Sequence, residues 1–249
     1  MEKSKLFLST IASDGVRMAK EYGLNLEIAE YCTAWNMDEK LAVIDPVVRK
    51  KLAASPKNLL HGPYNELFPC AIDKKVRALA AERYRQAIGL AKAYGSEKVI
   101  IHGGYNPWLY FPVWYVEQTV GFWKEFLRED PGVDIVLENV LETDPRWLLD
   151  IVQGVQSPRL KLCLDIGHVN AYSPIPVFDW LESWAPHLSH FHIHNNDKSR
   201  DQHSGLNCGT IPVLEFLRRA EELCPEATFT FELMKAEPSM IWLNENGVI

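Results

Sequence analysis

Short apolar or β-branched runs alternate with longer segments along the whole chain, and most of the longer segments show helical spacing. The runs are KLFLS, LNLEIA, NLLH, KVIIH, VDIVLE, LKLCLD, LSHFHIH and TFTFE, which predict eight strands. Near-continuous apolar strands joined by helices are typical of a parallel sheet that is covered on its outer face. Eight such units in 249 residues predict an α/β protein with a (β/α)8 or TIM barrel fold, and a doubly wound open sheet is the structural alternative.

The segment AIDKKVRALAAERYRQAIGLAKAYG shows the helical pattern most clearly. Asp73 supplies an early negative charge and Gly95 a C-terminal stop. The apolar positions that recur at helical spacing are Val76, Leu79, Ala80, Ala87, Leu90 and Ala91. Only seventeen residues follow Glu232, so the eighth helix must be short or irregular. No linker, charge block or low-complexity tract divides the chain, which indicates one domain over residues 1–249.

Composition and charge favour a globular protein that binds small molecules. The chain is 47% hydrophobic, and its net charge of -7 gives no general attraction to a nucleic-acid backbone. The five cysteines are odd in number and contain no CxxC pair, which argues against a disulfide framework or a thiolate zinc site. The N-terminus does not resemble a secretory signal, and no apolar run approaches about 18 residues. We therefore expect a cytoplasmic protein without a membrane partner.

Metal-type ligands stand at the carboxyl ends of six successive predicted strands. They are His61, His102, Glu138, Asp165 with His168 following, His192 and Glu232. In a parallel barrel these ends meet at one rim, where the loops build the active site. Burying so many polar groups together is costly unless they are paired or bind a metal. The sequence therefore predicts a divalent metal site at this rim.

Taken singly, each of these residues has a structural alternative. A strand-end His such as His61 could satisfy a loop, Glu138 could accept backbone amides, and Asp165 could cap a helix that begins near Gly167. Their convergence at one rim favours chemistry over these separate roles. His187 and His190 precede or open the seventh strand, away from the rim, and are interpreted as structural or surface residues.

The motifs LENV, LCLDIGHVNAY, HFHIHNNDKSRDQH and TFTFELM resemble the xylose-isomerase-like barrels, which include sugar isomerases and epimerases and the endonuclease IV family. The resemblance extends over nearly the whole chain. It implies a metal held by Glu138, Asp165, His192 and Glu232. His194 could replace His192 as the ligand, because residues two apart lie on one face of a strand.

In endonuclease IV-like members two further metals are bound, and the resemblance carries these sites over as well. The matching positions are His61 and His102 for one metal, and His168, Asp201 and His203 for the other. Imidazole and carboxylate ligands together suit zinc, manganese or cobalt, and magnesium stays open. The expected cofactor is thus one to three divalent ions.

The favoured hypothesis is a metal-dependent isomerase or epimerase of a small sugar, sugar phosphate or cyclitol. Glu138 and Glu232 would remove and return a proton next to a metal-bound carbonyl, and His168 would bind a substrate oxygen. The candidate substrate-binding residues are His194, Lys198, Arg200, Trp108, Trp114 and Tyr64. The favoured partner is therefore a small carbohydrate.

The alternative is an endonuclease IV-like zinc phosphodiesterase that acts at abasic sites in DNA. The complete ligand set favours it, as does Tyr64, which stands where the family can place a DNA-contacting aromatic residue. The acidic net charge, the segment LNCGTI in place of a glycine-rich GEG, and the segment STIASDG without the expected DNA-binding motif argue against it. A barrel that binds metal or sugar without catalysis is a third class.

The oligomeric state stays open. The aromatic-rich segment YNPWLYFPVWYVEQTVGFW could line the pocket, pack as a helix on the barrel or form a subunit contact. We expect Trp108 near the site and the later helix on the barrel.

Overall fold

In the computed structural model, which describes residues 1–249, eight parallel strands form a closed barrel. The strands are β1 (Leu6–Ser9), β2 (Asn25–Ile28), β3 (Asn58–His61), β4 (Lys98–His102), β5 (Asp134–Glu138), β6 (Leu160–Asp165), β7 (Leu188–Ile193) and β8 (Thr228–Phe231). Each strand pairs with the next in sequence, and β8 pairs with β1. This closure confirms the predicted (β/α)8 barrel and excludes the open sheet.

Ten α-helices connect the strands or follow them. They are α1 (Gly15–Tyr22), α2 (Ala34–Met37), α3 (Leu41–Leu52), α4 (Lys74–Tyr94), α5 (Pro112–Phe126), α6 (Arg146–Val155), α7 (Ile166–Tyr172), α8 (Val177–Trp184), α9 (Val213–Leu223) and α10 (Glu237–Glu245). Short 3-10 turns cover Lys3–Lys5 and Ala185–His187. The last helix has nine residues, as the short stretch after Glu232 predicts. In none of the ten helices do length and apolar character suffice to cross a lipid bilayer.

Helix α4 begins and ends where its sequence signals predict. The Asp73 carboxylate accepts a hydrogen bond from the Lys75 amide at 2.7 Å, and Gly95 follows the helix with a φ of 71°. The buried face consists of Ala80, Tyr84, Ala87, Ile88 and Ala91. Leu79, although it fits the predicted spacing, is 41% exposed, and Tyr84 belongs to the buried face instead.

The aromatic-rich segment packs on the barrel in its helical part. Tyr115, Trp123 and Phe126 of α5 are buried, whereas Trp108 and Phe111, in the loop before the helix, are both 83% exposed. The segment therefore contributes to the helical layer, and the loop side chains of Trp108 and Phe111 project into solvent.

The barrel interior is divided into an apolar part and a polar part. Side chains two residues before the ends of five strands form a small apolar cluster: Phe7, Leu59, Ile100, Val136 and Cys163. Because strand side chains alternate with period two, the next inward positions on the last four of these strands are His61, His102, Glu138 and Asp165. The apolar cluster thus forms a floor, and the predicted ligands stand above it at the carboxyl ends.

Candidate active site

A central group of one imidazole and three carboxylates lies at the carboxyl end of the barrel. Glu138, Asp165 and Glu232 come from the ends of β5, β6 and β8, and His192 comes from β7. All four are buried. The Nδ1 atom of His192 is 3.2 Å from a Glu138 oxygen, 3.7 Å from a Glu232 oxygen and 3.9 Å from an Asp165 oxygen. One ring nitrogen therefore faces three carboxylates from three other strands.

The donor atoms of this group fit a divalent cation. Both Glu138 Oε2 and His192 Nδ1 are buried and lack a hydrogen-bond partner, which is costly unless a cation binds them. Burial is the largest single influence and opposes ionisation of Glu138, but the surrounding imidazoles, with His192 first among them, together hold the pKa of Glu138 well below its ordinary value. Glu138 is thus ionised, as a metal ligand or a general base must be.

His61 and His102 flank the central group on the side of β3 and β4. Their Nε2 atoms lie 3.3 Å and 3.6 Å from Glu138 Oε2. Burial lowers the pKa of His102 to about 3, so its ring is neutral and can offer a lone pair to a metal. Tyr64 stacks on His102 with ring centres 4.3 Å apart. This arrangement could hold a second ion that shares Glu138.

A second flanking group lies on the other side and contains His168, His194, Asp201 and His203, whose ligand atoms all lie within 4.8 Å of one another. Asp201 Oδ2 is 2.9 Å from His203 Nε2 and 3.4 Å from His168 Nε2. Burial works against protonation of His203, but the hydrogen bond to Asp201 and the charges of the nearby carboxylates, Glu232 first among them, together raise the pKa of His203 to about 9. His203 has a left-handed backbone with a φ of 46°, a conformation that non-glycine residues adopt mainly where surrounding structure enforces it.

Two neighbours fix Asp165 and the turn that follows β6. The Asn139 side chain accepts a hydrogen bond from the Asp165 amide at 2.9 Å and donates one to the Asp165 carbonyl at 3.0 Å. Asp165 Oδ1 accepts from the His168 amide at 2.7 Å, so this carboxylate caps α7 and also faces the site. A Cβ on Gly167 would lie 1.8 Å from the His194 ring. Only glycine therefore leaves room for that imidazole.

A cavity of about 280 Å³ opens above the group. Its lining consists of Ile11, Ala29, Cys32, His61, Tyr64, His102, Glu138, Val140, His168, Asp201, His203 and Glu232. It contains no lysine or arginine. A larger groove of about 420 Å³ lies between α4 and α5 on the outer surface, remote from all these ligands.

The structure brings together the nine predicted metal ligands, but not all predicted substrate contacts. Asp165, His192 and His194 lie beneath the cavity wall, since all three are fully buried and none lines it. The side chains that point elsewhere are Lys198 and Arg200, exposed in the loop after β7, and Trp108, exposed before α5. Trp114 is half-buried and donates to the Cys70 carbonyl instead. Of the six predicted substrate contacts, Tyr64 alone lines the cavity.

Sequence reasoning missed Glu27 and Cys32. Glu27 is fully buried in β2, and its Oε1 lies 3.1 Å from His192 Nε2. The signal was a charged residue inside the apolar run LNLEIA. Cys32 Sγ lies 3.4 Å from His61 Nδ1 at the cavity wall. His190, interpreted as structural or surface, is fully buried inside the barrel, and His187 is half-buried in the turn before β7.

Comparison with known proteins finds a matching family model and a sequence relative for this chain. The family model of the xylose isomerase-like TIM barrel matches residues 16–244. The uncharacterized protein MJ1311 of Methanocaldococcus jannaschii is 31% identical over 185 residues, which cover 70% of this chain and 63% of that protein. The match thus spans less than two thirds of that relative's length.

Two solved structures share the fold over nearly their whole length. A D-tagatose 3-epimerase-like protein superposes with a TM-score of 0.80 and 25% identity, covering 98% of each chain. The TTHB071 protein of Thermus thermophilus, soaked with ZnCl2, superposes with a TM-score of 0.78 and 22% identity, covering 97% of each chain. The second likeness is evidence of the shared fold alone.

Proposed function

We propose that this chain, which belongs to the xylose isomerase-like TIM barrel family, is a metal-dependent epimerase or isomerase of a small unphosphorylated sugar or cyclitol. The observation that carries this proposal is the pair Glu138 and Glu232, which face one small cavity and share the His192 imidazole between them. The similarity to a D-tagatose 3-epimerase-like protein supports the same class of reaction.

Glu138, Asp165, His192 and Glu232 are the residues that would hold the metal. Their mixture of carboxylate and imidazole donors suits zinc, manganese or cobalt. The bound ion would polarise a substrate carbonyl and its neighbouring hydroxyl, which acidifies the adjoining C–H bond. The buried, unpartnered atoms of Glu138 and His192 support this assignment.

The chain itself supplies the proton transfers. Glu138 and Glu232 extend from strands three positions apart around the barrel, so they approach a bound carbon from different directions. One Glu, as the carboxylate, accepts the proton from the substrate carbon, and the other Glu, as the carboxylic acid, donates its own proton to the opposite face of that carbon, giving an epimer, or to the neighbouring carbon, giving an isomer. His168 lines the cavity beside Glu138 and would donate a hydrogen bond to a substrate oxygen.

The cavity favours a small and uncharged substrate. A volume of about 280 Å³ lies just below the range of about 300–1,000 Å³ that is usual for drug-sized ligands. A phosphate group would meet Glu138, Asp201 and Glu232 with no lysine or arginine on the wall to bind it. Lys198 and Arg200 point to solvent from the loop after β7. An unphosphorylated monosaccharide fits both the size and the charge.

The test is proton exchange on a panel of sugars. The protein, loaded in turn with Mn²⁺, Co²⁺ and Zn²⁺, is incubated in D2O with ketohexoses, ketopentoses and their phosphates. Proton NMR follows loss of the C–H signal beside the carbonyl. We expect exchange with at least one unphosphorylated ketose, and a rate loss of about 10²–10⁴-fold in Glu138→Gln and in Glu232→Gln.

The exposed carboxylate of Glu226 provides a matched control, because Glu226→Gln removes one negative charge far from the cavity. This variant should exchange at the wild-type rate. The metal content of every variant is measured in parallel, which separates loss of the ion from loss of the base. Absence of exchange on every sugar by the metal-loaded wild type would refute the proposal.

A phosphodiesterase that acts on abasic DNA is the second candidate. The two flanking groups favour it, because they could hold further ions beside the central one. The small cavity, whose lining contains no lysine or arginine, favours the sugar enzyme over it.

A further inference from the structure

Strands β2, β7 and β8 contribute a further cluster of polar side chains to the barrel interior. None of these side chains lines the cavity. The members of this cluster are Glu27, His190 and Thr230, all fully buried. Thr230 Oγ1 donates to Glu27 Oε2 at 2.5 Å, and His190 Nε2 lies 3.1 Å from the same oxygen. A carboxylate this deeply buried is costly unless its oxygens are hydrogen-bonded. Two contacts therefore hold Glu27 in one orientation.

The same Glu27 carboxylate also contacts His192. His192 Nε2 forms its hydrogen-bond contact with Glu27 Oε2 at 3.3 Å and lies 3.1 Å from Oε1, while Nδ1 of the same ring faces Glu138 at 3.2 Å. An ionised carboxylate can only accept hydrogen bonds, so Glu27 favours the ring form that carries a proton on Nε2. The Nδ1 lone pair is then left for the central group. Which ring nitrogen binds a metal is commonly set by the bond that the other nitrogen makes.

We infer that Glu27 is a positioning residue, which fixes the orientation and tautomer of the His192 ring so that Nδ1 faces the central group. This inference rests on the proposed function, since it assigns a partner to one of the proposed metal ligands. Glu27 does not line the cavity and does not touch substrate.

The competing interpretation is that Glu27 serves His190 alone, and the contacts argue against it. His190 has partners without Glu27, because its Nδ1 is 2.6 Å from Thr228 Oγ1 and its Nε2 is 3.0 Å from Thr230 Oγ1. His192 Nε2, in contrast, has hydrogen-bond contact with Glu27 only. Removing Glu27 would therefore leave His190 satisfied and His192 free to turn.

The first experiment compares metal affinity in wild type, Glu27→Ala and Glu27→Gln, by competition of Co²⁺ and Zn²⁺ against a chelator of known affinity. Loss of a hydrogen-bond partner behind a ligating His costs about 10–100-fold in metal affinity. We expect a loss of that size in Glu27→Ala. Glu27→Gln has an amide oxygen that can still accept a hydrogen bond from His192 Nε2–H, so this variant should regain part of the lost metal affinity. Because Gln has the same size as Glu, this variant also serves as the test if Glu27→Ala does not fold.

Asn25 provides the matched control. It is buried on the same inward face of β2, and its side chain donates to the Lys3, Ser4 and Leu6 carbonyls without touching His192. Asn25→Ala should lower the melting temperature but keep wild-type metal affinity. Equal losses of affinity in Asn25→Ala and Glu27→Ala would mean that Glu27 supports the barrel in general.

Crystal structures of the metal-free wild type and of both Glu27 variants give a readout that does not depend on metal binding. We expect the wild-type ring to keep Nδ1 toward Glu138, and Glu27→Ala to show a rotated or disordered His192 ring. An unchanged ring together with unchanged affinity would overturn the inference. If the wild type binds no metal, the proposed function fails, and the ring orientation still decides the role of Glu27.

Discussion

At the scale of single residues, His192 and His194 share one face of β7 but have different surroundings. His192 Nδ1 faces Glu138, Asp165 and Glu232. His194 Nε2 lies 3.0 Å from Asp165 and 3.6 Å from Asp201, and its ring stacks on His203 at 4.1 Å. The geometry therefore favours His192 for the central group and assigns His194 to the flanking group around Asp201.

This difference predicts opposite results for two alanine variants. His192→Ala should lose the most tightly bound ion, whereas His194→Ala should keep it, because the three central carboxylates and His192 are intact there. Elemental analysis of metal per chain after dialysis against a weak chelator checks the prediction. The reverse outcome would make His194 the central ligand and would require β7 to move relative to Glu138.

At the scale of elements, the loop after β1 holds the last helix in place. The Asp14 carboxylate accepts hydrogen bonds from the amides of Ala236 at 2.7 Å and Glu237 at 3.1 Å, at the N-terminus of α10. It thus satisfies two of the amides that the first turn of a helix leaves without intrahelical partners. This contact joins the first and last βα units, 222 residues apart in sequence.

Asp14→Ala should therefore destabilise the fold by about 0.5–2 kcal/mol, the usual cost of removing a helix cap. Asp14→Asn keeps an acceptor oxygen and should recover most of this loss. Urea unfolding monitored by tryptophan fluorescence measures both variants. Identical unfolding midpoints for wild type and Asp14→Ala would show that the cap does not contribute to stability.

At the scale of the whole molecule, charge and shape limit the partners. The net charge of -7 and a cavity lining without lysine or arginine give a DNA phosphate backbone little to bind. A flipped-out sugar phosphate would also have to enter a space of about 280 Å³ past Tyr64, which lies against His102. The two flanking groups alone therefore do not make the protein a nuclease.

We accordingly predict no strand cleavage when the zinc-loaded protein is incubated with a duplex that carries one tetrahydrofuran abasic site. A denaturing gel, with an endonuclease IV enzyme as positive control, measures the result. Cleavage that depends on His61 and Asp201 would instead favour the phosphodiesterase and would reverse the order of the two proposed functions.

The barrel and its ligand-bearing rim were predictable from sequence, because both depend on local periodicity. Apolar runs of strand length, a helix with Asp73 and Gly95 at its ends, and polar residues at strand ends are all visible along the chain. In a parallel barrel the carboxyl ends must meet, so His61, Glu138 and Asp165 could be placed together without coordinates.

Tertiary structure alone decided the contacts across the barrel. Glu27 meets His192 from a strand 165 residues away, and no local pattern links the two. The solvent exposure of Lys198 and Trp108 could not be predicted from sequence either, because the direction of a loop side chain depends on tertiary packing and not on sequence periodicity. Sequence periodicity determines which residues face inward at which end of a barrel. The distances between inward side chains depend on how the closed sheet packs, and only the folded chain sets them.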